Sequence, residues 1–160
     1  MEQLYDILAE LEIAYGEIEH EPVYTVEQAQ MIKSKISGTG CKNLFLTNQH
    51  RTKYLLVILE ESKRADLKQI ASIAETAHLS FVGNDEMYEL LRLSPGSVSP
   101  LGIIHDKANK VDLLIDFDLQ GKKLLLHPNI NTKTLSIAFD DLMKFIGYTN
   151  HRYIMSQHLG

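Results

Sequence analysis

One cysteine, four prolines and no apolar stretch longer than Tyr54 to Leu59 stand in this sequence of 160 residues. The lone Cys41 has no partner for an internal disulfide, and a free thiol fits a reducing compartment. The longest apolar stretch is far too short to span a bilayer. The opening MEQLYDILAE lacks the basic start and apolar core of a secretory leader. Together these features lead us to expect a soluble cytoplasmic protein with no membrane partner. H-E-x-x-H and C-x-x-C are missing as well, and the seven histidines form no tight cluster with aspartate, so neither a metal nor a cofactor is expected. Without a G-x-S-x-G elbow, a serine nucleophile of that type is excluded. Internal repeats, low-complexity tracts and linker-like Pro/Gly/Ser stretches are lacking too. The chain therefore reads as one domain over residues 1–150 followed by a short C-terminal tail, 151–160.

What is present is ordinary globular material, 44% hydrophobic and 23% charged. A chain of this length can bury roughly 70% of its unfolded surface in one core. The net charge of −5 alone disfavours a nucleic-acid partner, but its distribution is uneven. Lys33, Lys35, Lys42, Arg51, Lys53, Lys63, Arg64 and Lys68 stand against Glu60, Glu61 and Asp66, so this window carries +5 and the remainder −10. Such asymmetry suits a protein that meets phosphates with one face, although solvated hairpin and helix surfaces produce it as well.

The apolar spacing of Leu4, Ile7, Leu8 and Leu11 predicts a helix from Glu2 to Ile13. Thr25 followed by Gln28 predicts a capping box and a second helix toward Lys33. Asn43–Thr47 and Lys53–Leu59 predict a hairpin around Asn48-Gln49-His50-Arg51. A helix over Asp66–Ala77, a short strand at Ser80–Val82 and a helix capped by Asn84 and ending before Pro95 follow. Val111–Phe117 and Lys123–Leu126 are expected to pair as a second hairpin, with a strand at Leu135–Ala138 and a helix from Asp140 after them. Hairpins interspersed with helices imply an α/β fold with a mixed, largely antiparallel sheet covered by helices.

Three islands carry candidate chemistry. Lys42-Asn43 places a cation and an amide at the mouth of the strand Leu44-Phe45-Leu46, where an ammonium can pair with a phosphate or a ligand carbonyl. An exposed lysine beside a turn asparagine is the plainer reading. Pro95 to Gly102 holds two prolines and two glycines, which stiffen a loop and let its backbone approach a ligand. The amides of Ser97, Val98 and Ser99 could then converge on a carbonyl oxygen; an ordinary helix-to-strand connection would look the same. His127-Pro128-Asn129 ends the strand Leu124-Leu125-Leu126, so His127 can orient a substrate or move a proton, or simply bond to neighbouring backbone. His20 and Glu21 before Pro22 could line a pocket or lie on the surface. Cys41 next to Lys42 reads as an incidental or buried thiol rather than an activated one.

The islands occur in the order His20-x-Pro22-x-x-Thr25-x-x-x-Ala29, Lys42-Asn43-Leu44-Phe45-Leu46, Pro95-Gly96-Ser97-Val98-Ser99-Pro100-x-Gly102, Asp116 with Leu119, and His127-Pro128-Asn129 with Thr134. In this order they resemble the YbaK-like aminoacyl-tRNA deacylases, and among these the freestanding prolyl-tRNA editing proteins. The resemblance implies hydrolysis, without metal, of the ester in a mischarged proline tRNA. Alanine is the favoured amino acid, with cysteine the sister alternative. A non-catalytic module of the same fold that senses an amino acid is a third expectation. By position the resemblance assigns Lys42, Asn43 and His127 to catalysis. It assigns Gly96, Ser97, Val98, Ser99 and Pro100, with His20 and Thr25, to substrate binding. On this reading Lys33, Lys35, Arg51, Lys53, Lys63, Arg64 and Lys68 form a tRNA-binding surface. The expected partners are the acceptor end of tRNA(Pro) and, as a candidate, prolyl-tRNA synthetase.

Overall fold

The structure, a computed structural model, describes residues 2–23 and 25–160, with only the backbone of Val26. Helix α1 (Glu2–Glu10) buries Leu4, Ile7 and Leu8 on one stripe, as their spacing requires. Strand β1 (Tyr15–Glu19) leads to α2 (Val26–Lys33), opened by the predicted capping box. The Thr25 hydroxyl accepts the Gln28 amide and the Gln28 side chain accepts the Thr25 amide, each at 3.1 Å. Strands β2 (Thr39–Thr47) and β3 (Tyr54–Glu60) form the predicted hairpin, with a register from Thr47↔Tyr54 to Cys41↔Glu60. Then come α3 (Leu67–Ile73), β4 (Ser80–Phe81), α4 (Asn84–Leu91), a 3-10 helix (Pro100–His105) and β5 (Val111–Asp116). A 3-10 turn (Phe117–Leu119), β6 (Lys123–Leu126), β7 (Lys133–Ala138), α5 (Phe139–Thr149) and β8 (Tyr153–Ser156) complete the order.

The strands make one mixed sheet in the order β1-β7-β6-β2-β3-β5-β8, with β4 also on β2. β2–β6, β3–β5 and β5–β8 are parallel and the other pairs antiparallel. Two sequence expectations need correction. Val111–Phe117 and Lys123–Leu126 are not a hairpin: β5 lies between β3 and β8, while β6 lies between β2 and β7. Val111, Leu113, Leu114 and Ile115 are all buried, so β5 has apolar side chains on both faces, the pattern of a covered parallel strand. The N-cap of α4 is Gly83, not Asn84, and it offers no side-chain cap. Within the segment 151–160, β8 joins the sheet and Leu159 is buried.

One face of the sheet carries Phe45, Leu56, Ile58, Leu113, Ile115, Leu124, Leu126, Leu135 and Ile137. These pack on residues of α1, α4, the 3-10 helix and α5 to form the principal core. On the other face Leu46, Leu55, Val57, Leu59 and Leu114 pack on Ile70 and Ala74 at α3. Helices thus cover both faces.

One detail of pairing creates an opening. β2 pairs with β6 through Thr39 and Gly40 alone, and with β4 through Leu46 and Thr47 alone. Between these contacts, on the same edge of β2, lie Lys42 and Asn43.

Candidate functional site at the opening beside β2

Alternation along a strand sends neighbours to opposite faces. Asn43 lies opposite Ile58 and so faces the principal core. Lys42 lies opposite Leu59 and faces the second layer with α3. The Lys42 ammonium donates to the Lys63 carbonyl at 2.6 Å, which fixes one of its three protons. A Cβ on Gly40 would first meet the Glu61 carboxylate, the movable end of a side chain that forms an ion pair with Lys33.

The β2–β6 register is Thr39↔Leu124 and Gly40↔Leu125. The pairing stops there, and His127 follows the last residue of β6. β6 is buried at Leu124, Leu125 and Leu126, and the chain turns away after His127 toward Asn129, which has φ +65°. His127 Nδ1 donates to the Lys133 carbonyl at 2.9 Å. A carbonyl can only accept, so Nδ1 carries the proton and Nε2 presents a lone pair. Burial pulls the pKa of His127 below the ordinary imidazole value and His20 adds to the effect, while the bond to Lys133 opposes it. His20 stands beside it, ring centroids 6.2 Å apart. Its Nε2 is 2.8 Å from the Thr134 hydroxyl and its Nδ1 donates to the Glu21 carbonyl. His20 also borders a cavity of about 940 Å³ between α2 and the β1 and β7 ends, walled by Pro22, Met31, Ile32 and Ile130.

The 95–100 loop is anchored on the principal-core side, where Leu93, Val98 and Leu101 pack. Gly96 has φ +84°, a conformation that favours glycine. The Ser97 amide donates to the Ser94 carbonyl at 3.1 Å, which closes a turn. The expected convergence of three amides is thereby reduced: Ser97 is spent, whereas the amides of Val98 and Ser99 have no hydrogen-bond partner among the described residues. The Ser99 hydroxyl accepts the Leu101 amide at 3.2 Å and opens the 3-10 helix, with Pro100 in its first turn. Lys42 and the loop therefore approach the opening from opposite faces of the sheet. No hydrogen bond or ion pair joins them among the described residues.

Asn129 was not singled out from the sequence as a site residue. Its Nδ2 donates to the Leu101 carbonyl at 3.3 Å, linking the His127-Pro128-Asn129 turn to the loop. Its Oδ1, like that of Asn43, is buried without a partner among the described residues. An unpaired buried carbonyl oxygen is costly, so each of the two calls for a donor from water or a ligand. The asparagine after His-Pro in the sequence was the available signal. Thr25 serves as the α2 cap. Cys41 is no nucleophile: burial pushes its thiol up to about 12, helped by Glu60 and Asp116.

The basic window is divided by the hairpin. Arg51 and Lys53 sit at its tip, beyond Thr47 and Tyr54, at the other end of the strands from Lys42. Arg51 pairs with Glu86, and Lys53 donates to the Ala74 carbonyl at 2.5 Å. Lys63 bridges Asp116 at 2.8 Å and Asp118 at 2.6 Å, and Lys33 is held by Glu61. Lys35, Arg64 and Lys68 are exposed. The seven cations are thus not one surface, a correction that only the register of the hairpin reveals.

A family model described as an aminoacyl-tRNA editing domain matches residues 20–145, which include every residue at the opening. The chain belongs to this family. Among relatives of the editing domain is the prolyl-tRNA editing protein ProX of Acetoanaerobium sticklandii, 34% identical over 140 residues and covering 87% of this chain and 85% of its own. The prolyl-tRNA synthetase associated domain-containing protein 1 of Danio rerio is 30% identical, over 93% of this chain and 82% of its own. Among solved structures, the hypothetical protein APE2540 superposes with a TM-score of 0.72 at 14% identity, over 94% of this chain and 96% of its own. A candidate trans-editing enzyme for prolyl-tRNA synthetase superposes with a TM-score of 0.69 at 16% identity, over 97% and 96%. These two share the fold of the editing domain. Among the described residues no helix is long and apolar enough to cross a membrane.

Proposed function

We propose that the protein is a trans-acting hydrolase that deacylates tRNA(Pro) carrying a small wrong amino acid, with alanine favoured over cysteine. Family membership and the likeness to ProX support the reaction class. The observation that carries the assignment to a site is the opening beside β2. There a tethered ammonium, a neutral imidazole and two unpaired amide oxygens come from neighbouring segments.

The chemistry follows from those groups. The Asn43 and Asn129 oxygens accept hydrogen bonds from the substrate's amine or ribose hydroxyls and orient the ester. The Lys42 ammonium faces negative charge as it develops on the ester oxygen, and the Val98 and Ser99 amides, on the other face of the sheet, hold another part of the substrate. Attack is by water, assisted by a ribose hydroxyl of the terminal nucleotide, with no covalent enzyme intermediate and no metal. His127 Nε2, with its free lone pair, is the proton acceptor in this reading. A pocket that admits a methyl side chain and excludes the proline ring gives the second sieve that a synthetase site for proline lacks. The tRNA acceptor end is the partner this requires, and prolyl-tRNA synthetase is the protein from which such a substrate would be received.

Incubation with Ala-tRNA(Pro), Cys-tRNA(Pro) and Pro-tRNA(Pro), with and without EDTA, tests the reading. Release of alanine with Pro-tRNA(Pro) left intact and no effect of EDTA is expected; inactivity toward both mischarged species would sink it. The pH profile tests His127. Its neutral form is the active one and its pKa lies below the ordinary value of about 6.5. The kcat/KM should therefore be flat above that pH and decline only on the acid side of it. An inflection at or above 6.5 would remove His127 as the base. Folding shows the same sign: protonation is harder in the folded state, so stability contributed by neutral His127 is present above 6.5 and lost as pH falls below it.

A further inference from the structure

The parallel pairing of β2 with β6 places two cations at the sheet end beside Lys42 that lie far from it in sequence. Lys123 begins β6 and Lys122 precedes it, next to Gly38 and Thr39. Both are exposed and neither has an ion-pair partner among the described residues. Lys122 is near enough to Cys41 for its charge to act on the thiol. Lys35, after α2, and Lys68, at the start of α3, flank the same end and are likewise exposed and unpaired among the described residues. The acidic groups at this end are largely engaged. Glu61 holds Lys33, Asp116 and Asp118 hold Lys63, Asp66 caps α3, and Glu60 accepts from Ser62. Asp141 shares a shallow hollow with Lys123, and the exposed Asp140 stands beside it in the first turn of α5.

We infer that this end of the sheet, with Lys122 and Lys123 at its centre and Lys35 and Lys68 on its flanks, docks the sugar-phosphate backbone of the RNA substrate. The inference rests on the reading of the opening as an aminoacyl-tRNA site. From Lys42 back to Thr39 is three residues of strand, about 10 Å, a distance that places phosphates just behind the terminal nucleotide over these lysines. Neighbouring strands lie about 4.8 Å apart, so the cations follow a chain crossing the strand ends from β6 to β3. Arg51 and Lys53, at the hairpin tip, take no part.

Binding of deacylated proline tRNA, measured over a KCl series, separates this surface from net charge. The Lys122→Ala/Lys123→Ala variant is compared with Lys107→Ala/Lys110→Ala, which removes the same charge from the opposite sheet end, before β5. The first should weaken binding about 10-fold and reduce the slope of log K against log salt by about 1.5, as expected for two lost phosphate contacts. The control should leave both near wild type. On mischarged tRNA the first variant should raise KM and keep kcat. Equal affinity and slope in the first variant and wild type would overturn the inference, as would equal weakening by the control. Because binding is read without hydrolysis, a wild type that binds as expected but deacylates nothing defeats the proposed function and leaves the docking surface standing.

Discussion

Lys42→Ala is expected to reduce deacylation of the mischarged tRNA by about 10²–10³-fold, the range seen when one charge-stabilising donor is removed from an acyl-transfer site. The melting temperature should stay close to wild type, because the side chain is exposed and makes one hydrogen bond, to the Lys63 carbonyl. Separation of rate from stability is the point of the measurement. The ammonium is already held at 2.6 Å by a carbonyl, so it pays little ordering entropy when substrate arrives. Lys42→Arg tests geometry rather than charge. A planar guanidinium keeps the charge but does not reproduce a compact ammonium beside one carbonyl, so most of the activity should be lost as well. If Lys42→Ala retained more than a tenth of the wild-type rate, the ammonium would have no place in the chemistry.

The second large effect concerns Asp116. Its carboxylate is 1% exposed and accepts from Lys63 Nζ at 2.8 Å and from the amides of Glu60 and Asp118, each at 3.0 Å. Burial alone would raise its pKa, but Lys63 and the two amides outweigh burial and hold it below the ordinary aspartate range. Removing the carboxylate in Asp116→Ala leaves two buried amide donors unanswered and Lys63 with Asp118 alone, a loss of about 3 kcal/mol. For a chain of this size that is a fall of about 10 °C in melting temperature. The pH dependence has a definite sign. A depressed aspartate pKa contributes stability that is present above the unfolded value and lost as pH falls through the folded one. Lys63, raised by the same pair against its own desolvation, contributes stability that is lost as pH rises through its folded pKa. The variant should therefore lose less stability than wild type between neutral and acid pH. The Lys63 carbonyl holds Lys42, so kcat should also fall by about 10-fold when the clamp on this turn is removed. A variant with unchanged melting temperature would show that the carboxylate is not what secures the turn.

The sequence revealed local features better than pairings. The Thr25–Gln28 capping box and the β2–β3 hairpin depend on residues close in the chain, and both formed as their chemistry required. The placement of β5 and β6 did not, because Leu113-Leu114-Ile115 and Leu124-Leu125-Leu126 state that a strand is buried without naming its neighbour. β1 and β8 escaped notice for the opposite reason: Tyr15-Gly16-Glu17-Ile18-Glu19 and Tyr153–Ser156 are edge strands with much exposed surface and no clean apolar pattern. At the opening, the residue types were legible but their directions were not. Lys42 and Asn43 are neighbours in the chain, yet strand alternation sends one to each face. That Asn129 shares a loop contact with Leu101 depends on a turn in the left-handed region that no periodicity signals.

The exchange of neighbours along β2 also limits how this chain could change its specificity. One ladder pins Thr39 and Gly40, another pins Leu46 and Thr47, and the full register with β3 runs along the far side. Main chain held from three directions cannot spread to accept a bulkier acyl group without sacrificing hydrogen bonds. Adaptation to another amino acid must then come from exchanging side chains in the flanking segments, while the aperture itself keeps a constant width.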